Sequence, residues 1–260
     1  PAYEISLGLV GSEMCIRDRL VTGDGDGFSI GGNHMIHLLR RNINLNVMLF
    51  NNRIYGLTKG QYSPTSEQGK VTYSTPMGSL DYPFNPTKLA LGAKGAFVAK
   101  TIDRDLKHLQ SMIKRANDHR GTSFIEIYQN CNIFNDGAFE EYTGKEKLDN
   151  VIELENDKPM LFARGTIGIK LEGSKAIVVS MDDCSTEDLL VHDETDLDMA
   201  HIIANWTSNP QLPEPIGVIY CVDRPTYNQD MVDQINSAKK KKGKGSVQGL
   251  LNAGDTWVVD

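Results

Sequence analysis

The sequence predicts an α/β fold, a parallel sheet covered by helices and followed by a smaller α/β extension. Three observations lead there. From Leu20 to about Gln129, short β-rich runs alternate with helical stretches. The order is strand, helix, strand in two successive units, as parallel pairing requires. The 40% hydrophobic and 23% charged composition over 260 residues is that of a globular chain long enough to bury a sizeable core.

The elements follow in order. Residues 20–22 end a first strand. Residues 29–41 place Met35, Ile36, Leu38 and Leu39 at helical spacing, and 46–50 form a buried strand ending at Asn51-Asn52. The second unit runs from a strand at 96–100 through a helix at 104–119 to a strand at 123–128. Leu106, Leu109, Met112, Ile113 and Ala116 share one face of that helix, and Gly121 is placed to close it. Between the units, residues 60–86 are polar, aperiodic and rich in Ser, Thr, Pro and Gly, the composition of a functional or mobile loop. After Asp136-Gly137 an acidic stretch leads to strands at 160–163, 176–180 and 216–222 and a helix at about 197–207. The expected division is therefore 20–136 for the first unit and 137–260 for the extension. There is no internal repeat.

A net charge of −7 and a pI near 5.4 argue against nucleic-acid and anionic-membrane partners, which are held by surplus Lys and Arg. The run Lys239 to Lys242 reads as a solvated tail. No apolar run approaches the ~20 residues of a bilayer span, so a soluble protein is expected.

Residues 1–19 stand apart. Leu9 to Arg19 corresponds to the translation of the transposon end of a sequencing-library primer, and Ala2 to Ile5 to its flow-cell end, in one frame. The expectation is an adapter-derived peptide fused to a gene fragment whose own sequence starts near Leu20. Setting it aside removes two basic and three acidic residues and leaves the charge acidic. It also leaves Cys131, Cys184 and Cys221, widely spaced and without a CxxC pair, which suggests a reducing, cytoplasmic setting.

Gly23-Asp24-Gly25 follows a strand and precedes the expected helix, so its backbone can approach a ligand closely while the helix N-terminus faces an anion. Neither a GxGxxG nor a P-loop stands here. Asn52 lies 28 residues beyond Asp24, at the end of the next strand. In a parallel sheet both then sit on the carboxyl edge, where open α/β sheets bind ligands. A carboxylate, an amide oxygen and a backbone carbonyl near Ile54 suit Mg²⁺, with diphosphate oxygens and water completing six. Two unrelated turns capped by Asp and Asn account for the same spacing.

Those residues belong to longer matching runs. Asn51-Asn52-Arg53-Ile54-Tyr55-Gly56-Leu57-Thr58-Lys59-Gly60-Gln61, Ser29-Ile30-Gly31-Gly32-Asn33-His34, Tyr62-Ser63-Pro64-Thr65 and Gly121-Thr122-Ser123-Phe124 strongly resemble the thiamine-diphosphate-binding β subunit of 2-oxoacid:ferredoxin oxidoreductases. The resemblance runs from Leu20 to about Asp136 and is nearest to the 2-oxoglutarate branch. It implies a partial thiamine-diphosphate-binding domain in 20–136 and a β-subunit extension in 137–260. It also implies oxidative decarboxylation of a 2-oxoacid to an acyl-coenzyme A, with electrons leaving through a [4Fe-4S] cluster to ferredoxin. By the same resemblance Asp24 and Asn52 are Mg²⁺ ligands with the Ile54 carbonyl, and Gly23 and Gly25 line the diphosphate. His34 lies near the cofactor, Cys131 ligates the cluster, and the activating glutamate comes from a partner α subunit.

The sequence departs from the family in lacking the other three cluster cysteines, which precede the Gly-Asp-Gly turn; a junction at Arg19 accounts for this. Two alternatives stay open: another thiamine-dependent decarboxylase or lyase without iron, and a subunit-docking fragment inactive by itself. His37 and His192 read as surface or satisfied histidines, and Cys184 and Cys221 as structural. The acidic cluster from Asp182 to Asp196 matches no calcium loop and reads as a solvated face.

Overall fold

The computed structural model describes residues 18–144, 146–255 and 257, so the adapter-like peptide lies outside the described residues except for Asp18 and Arg19. Those two open strand β1 (Asp18–Gly23), which pairs in parallel with β2 (Leu45–Asn51). Next to β2 runs β4 (Ser123–Tyr128), then β3 (Phe97–Ile102), all parallel. Beyond β3 come β9 (Glu214–Cys221), which is antiparallel to it, and β5 (Val151–Leu154), parallel to β9. The sheet order is β1-β2-β4-β3-β9-β5, a mixed sheet dominated by parallel strands.

All six residues of β3 and of β4 are buried, as central strands covered on both faces must be. Alternation divides their side chains. Val47 and Leu49 of β2, Val98 of β3 and Phe124 of β4 face a core closed by helices α2 (Gly32–Arg41), α3 (Pro86–Gly92) and α7 (Leu197–Ala204). Met48, Phe97, Ala99, Ile125 and Ile127 face Met112 and Ala116 of α4 (Leu106–Asp118) on the other side. Caps fix where the helices start: Asn85, Asp105 and Asp196 each accept a first-turn N–H.

The structure corrects several expectations. The helix expected over 29–41 is two pieces, a single turn α1 (Asp24–Phe28) directly after β1 and then α2. The Gly23-Asp24-Gly25 turn is thus itself the start of a helix. Gly121 does not close α4, whose C-cap is His119 in an extended conformation. Instead Gly121 has φ 127°, and a Cβ there would stand 2.4 Å from Asn42 Oδ1, so close approach requires the glycine. Nor does residue 136 mark a boundary in the sheet, because β5 and β9 come from beyond it. What the extension adds separately is a three-stranded antiparallel sheet, β6 (Leu161–Phe162), β7 (Ile167–Glu172) and β8 (Lys175–Ser180). Two four-residue helices, α5 (Glu140–Thr143) and α6 (Lys147–Asn150), precede β5. The lysine run is the exposed last turn of α8 (Tyr227–Lys242), not a tail; basic side chains there complement the helix dipole. The loop before Pro86 has no helix or strand, as expected. No described helix is long and apolar enough to cross a membrane.

Candidate metal centre

Asp24 is 1% exposed. Its Oδ2 accepts a 2.6 Å hydrogen bond from the Thr65 hydroxyl, and its Oδ1 a longer one, 3.5 Å, from the Asn52 N–H. Burial pushes the carboxyl above its ordinary value; hydrogen bonds from Ser63, Thr65 and Asn52 pull it part of the way back. Among the described residues no Lys, Arg or His side chain forms an ion pair with it. A buried carboxylate without countercharge is costly, and a divalent cation is the compact way to supply one.

The chain turns sharply beside it. Asn51 Oδ1 accepts the Arg53 N–H at 3.2 Å, and Asn52 Oδ1 accepts the Ile54 N–H at 3.2 Å. These two side-chain turns hold Arg53 at φ 56°, in the left-handed region that a residue with a Cβ avoids. Asn135 Nδ2 donates to the Asn52 carbonyl at 3.0 Å and the Ser66 hydroxyl to the Arg53 carbonyl at 2.6 Å. The Arg53 guanidinium lies 4.5 Å above the Phe139 ring. Asp24, Asn52 and Ile54 are therefore brought to one strand edge by β1, β2 and the loop after it. Their hard oxygens fit Mg²⁺. Gly23 is open to space, whereas a Cβ on Gly25 would lie 2.1 Å from the Tyr55 ring, whose hydroxyl donates to the Gly25 carbonyl at 2.9 Å. Gly25 is thus demanded by Tyr55.

The other expected residues stand apart from this group. His34 is exposed on the first turn of α2 and lines neither cleft beside Asp24. Cys131 is half-buried in the loop after β4, bridged through its carbonyl to the Asn135 N–H at 3.0 Å. Among the described residues no three His, Cys, Asp or Glu side chains converge as a metal site. Cys184 points at the Ser180 carbonyl, and Cys221 lies at the end of β9 with its thiol pushed up by burial. The described residues thus offer one thiolate where a [4Fe-4S] cluster takes four, and they do not by themselves assemble it. His192 is buried with Nε2 2.7 Å from the Val218 carbonyl, and His37 lies beside Arg40. Within the acidic cluster, Asp188 and Asp196 cap turns and Glu194 pairs with Arg115.

Sequence reasoning missed a buried polar network next to the site. Lys100 Nζ is 2.6 Å from Glu214 Oε1 and 3.8 Å from Glu126 Oε2, all three side chains being about 1% exposed. Burial alone would lower the Lys100 ammonium, but Glu214 and Glu126 hold it above its ordinary value. Glu126 Oε1 in turn accepts from Asn51 Nδ2 at 2.8 Å. A cavity of about 270 Å³ lies between Asn51, Arg53, Thr65, Lys100, Glu126 and Tyr128. The signal was present in the sequence: one charged residue inside each of two apolar strands, Phe97–Ile102 and Ser123–Tyr128, has to find a partner.

Residues 16–127 match the family described as thiamine pyrophosphate enzyme, C-terminal TPP binding domain. The chain is 44% identical, over its whole length, to 2-oxoglutarate oxidoreductase subunit KorB of Mycobacterium tuberculosis and spans 70% of that protein. It is 43% identical to the 2-oxoacid:ferredoxin oxidoreductase β subunit of Saccharolobus solfataricus over 49% of this chain and 42% of that one. A solved structure, the 2-oxoglutarate:ferredoxin oxidoreductase from Magnetococcus marinus with 2-oxoglutarate, coenzyme A and succinyl-CoA bound, superposes with a TM-score of 0.65 at 30% identity. That match covers 90% of this chain and 67% of the other. These relatives do not favour an iron-free decarboxylase or lyase. The chain belongs to the β-subunit family of 2-oxoacid:ferredoxin oxidoreductases.

Proposed function

We propose that this chain works with an α subunit as a 2-oxoacid:ferredoxin oxidoreductase, with 2-oxoglutarate as substrate, coenzyme A as acyl acceptor and ferredoxin as electron acceptor. The observation that carries the reading is Asp24: a buried carboxylate with no ion-pair partner among the described residues, hydrogen-bonded to the Asn52 backbone where two parallel strands end. Thiamine diphosphate, when bound, supplies the electron sink for decarboxylation. Asp24, Asn52 and the Ile54 carbonyl hold the Mg²⁺ that neutralises its diphosphate. Gly23 leaves room for the diphosphate, and Gly25 borders it through Tyr55. His34 stands at the outer margin of the site, and Cys131 supplies one thiolate of a [4Fe-4S] cluster. The substrate assignment is supported by the 2-oxoglutarate names among the relatives.

The test is made in the assembled complex. Asp24→Ala should abolish calorimetric binding of thiamine diphosphate with Mg²⁺, and unchanged affinity overturns the site. Ferredoxin reduction should be faster with 2-oxoglutarate than with pyruvate, and the reverse order overturns the substrate.

A further inference from the structure

The metal loop holds a conformation that its own residues disfavour. Arg53, between Asn52 and Ile54, has φ 56°, and strain of this kind persists only where the surroundings enforce it. One clamp is the 3.2 Å hydrogen bond from the Arg53 N–H to Asn51 Oδ1. It forms only while the Asn51 carboxamide presents its oxygen to that N–H.

The Thr65 hydroxyl lies 3.0 Å from Asn51 Oδ1, but a hydroxyl can face either end of an amide, so what selects the orientation of the carboxamide is Glu126. Asn51 ends β2 and Glu126 lies in β4, both buried and on the sheet face shared by Leu49 and Phe124. Glu126 Oε1 takes the Asn51 Nδ2 hydrogen at 2.8 Å. Flipping the amide would set its oxygen against a carboxylate oxygen and its NH₂ against the Arg53 N–H, two repulsions at once. Glu126 is itself immobilised, because Oε2 accepts from the Thr87 hydroxyl at 3.0 Å and lies 3.8 Å from Lys100 Nζ. We infer that Glu126 is a positioning residue for the metal site. It acts through Asn51 to lock Arg53 in the left-handed turn that sets Asn52 and Ile54 beside Asp24. The inference rests on the Mg²⁺ site proposed above.

The experiment measures Mn²⁺ affinity by electron paramagnetic resonance, in the presence of thiamine diphosphate, on the full chain assembled with its partner subunit. Melting temperature is recorded alongside. Glu126→Gln keeps an acceptor for Asn51 and can donate to Thr87, so its affinity should stay within about threefold of the parent. Glu126→Asp keeps the charge beside Lys100 but withdraws the acceptor by one methylene, and it should weaken Mn²⁺ about 10–100-fold, the usual cost of losing a partner behind a metal ligand. Asn51→Ala, which has no group to accept the Arg53 N–H, carries the same expectation and keeps the test standing if Glu126→Asp does not fold. A merely structural role would lower the melting temperature of folded Glu126→Asp or Asn51→Ala and leave Mn²⁺ affinity at the parent value; that result overturns the inference. Absence of Mn²⁺ binding in the parent complex would instead remove the metal site itself, so the two failures are distinguishable.

Discussion

Replacing Lys100 by Met tests the buried charge network directly. Methionine nearly fills the same volume, so the change removes the ammonium and little else. It leaves Glu214 and Glu126 buried without the cation that sits 2.6 and 3.8 Å from them. It also deprives the Tyr128 and Thr207 hydroxyls, 3.3 and 3.0 Å from Nζ, of a partner. Removing one member of a buried ionic cluster typically costs about 3–5 kcal/mol. At about 2–4 °C per kcal/mol for a domain of this size, the melting temperature should fall by roughly 6–20 °C. The sign of the pH dependence follows from proton counting. In the parent the Lys100 ammonium is held above its ordinary value, so its contribution is complete at neutral pH and is lost only as pH climbs beyond about 10.5. The deficit of the variant should therefore be constant at neutral pH and narrow only above about pH 10.5. Urea titrations at several pH values read both quantities, and adding Glu214→Gln should recover part of the loss. A loss below about 1 kcal/mol, or a deficit that does not narrow above about pH 10.5, would refute the claim that these groups act as one ionic unit.

Two further outcomes follow from local geometry. Gly25→Ala drives a Cβ to 2.1 Å from the Tyr55 ring and should cost about 1–3 kcal/mol, with Tyr55→Ser in the same chain relieving most of it; an undiminished penalty in the pair would show that the ring is not the obstacle. His108 is buried against Thr101, 2.7 Å away, and burial holds its imidazole below the ordinary value despite Glu153 and Asp105. The folded state then binds fewer protons than the unfolded one, so this share of stability is present above about pH 6.5 and fades as pH falls through the depressed value. His108→Gln should flatten the acid limb of the stability curve between pH 7 and 5, and an identical slope would contradict the assignment.

How much of this was legible in the sequence depends on whether the signal was local. Strands β2, β3 and β4 were visible because covered parallel strands read as short apolar runs, and α4 because its apolar face repeats at helical spacing. β5, β7 and α8 passed unnoticed: β5 has only four residues, β7 interrupts its apolar positions with Gly168, Lys170 and Glu172, and α8 has no buried residue. The placing of β9 against β3 was invisible for a different reason. Nothing local to residues 214–221 says which strand they will pair with, and the antiparallel partner lies over a hundred residues away. Asp24 and Asn52 could be placed on one sheet edge because each directly follows a recognisable strand. Thr65 could not, since it comes from a loop without periodicity and becomes meaningful only when its hydroxyl reaches Asp24.

The strain at Arg53 shows why the loop needs those distant contacts. A left-handed residue with a side chain costs on the order of 1–3 kcal/mol, and glycine would remove most of that cost. Glycine would also remove the guanidinium stacked 4.5 Å over Phe139, itself 4.3 Å from Tyr128 in a stacked pair. A partly desolvated contact of that kind is worth about 0.5–2 kcal/mol, comparable with the strain it opposes. Asn51, Ser66 and Asn135 add hydrogen bonds to the same three residues. The conformation of residues 51–54 is therefore set by β4, by the loop before α3 and by the segment that carries Cys131. Asn135 donates its side-chain N–H to the Asn52 carbonyl and its backbone N–H to the Cys131 carbonyl, so it ties residues 51–54 to the loop that carries Cys131. Two local turns capped by Asp and Asn would not require this convergence, whereas the proposed Mg²⁺ site would, because its ligands have to be held in register.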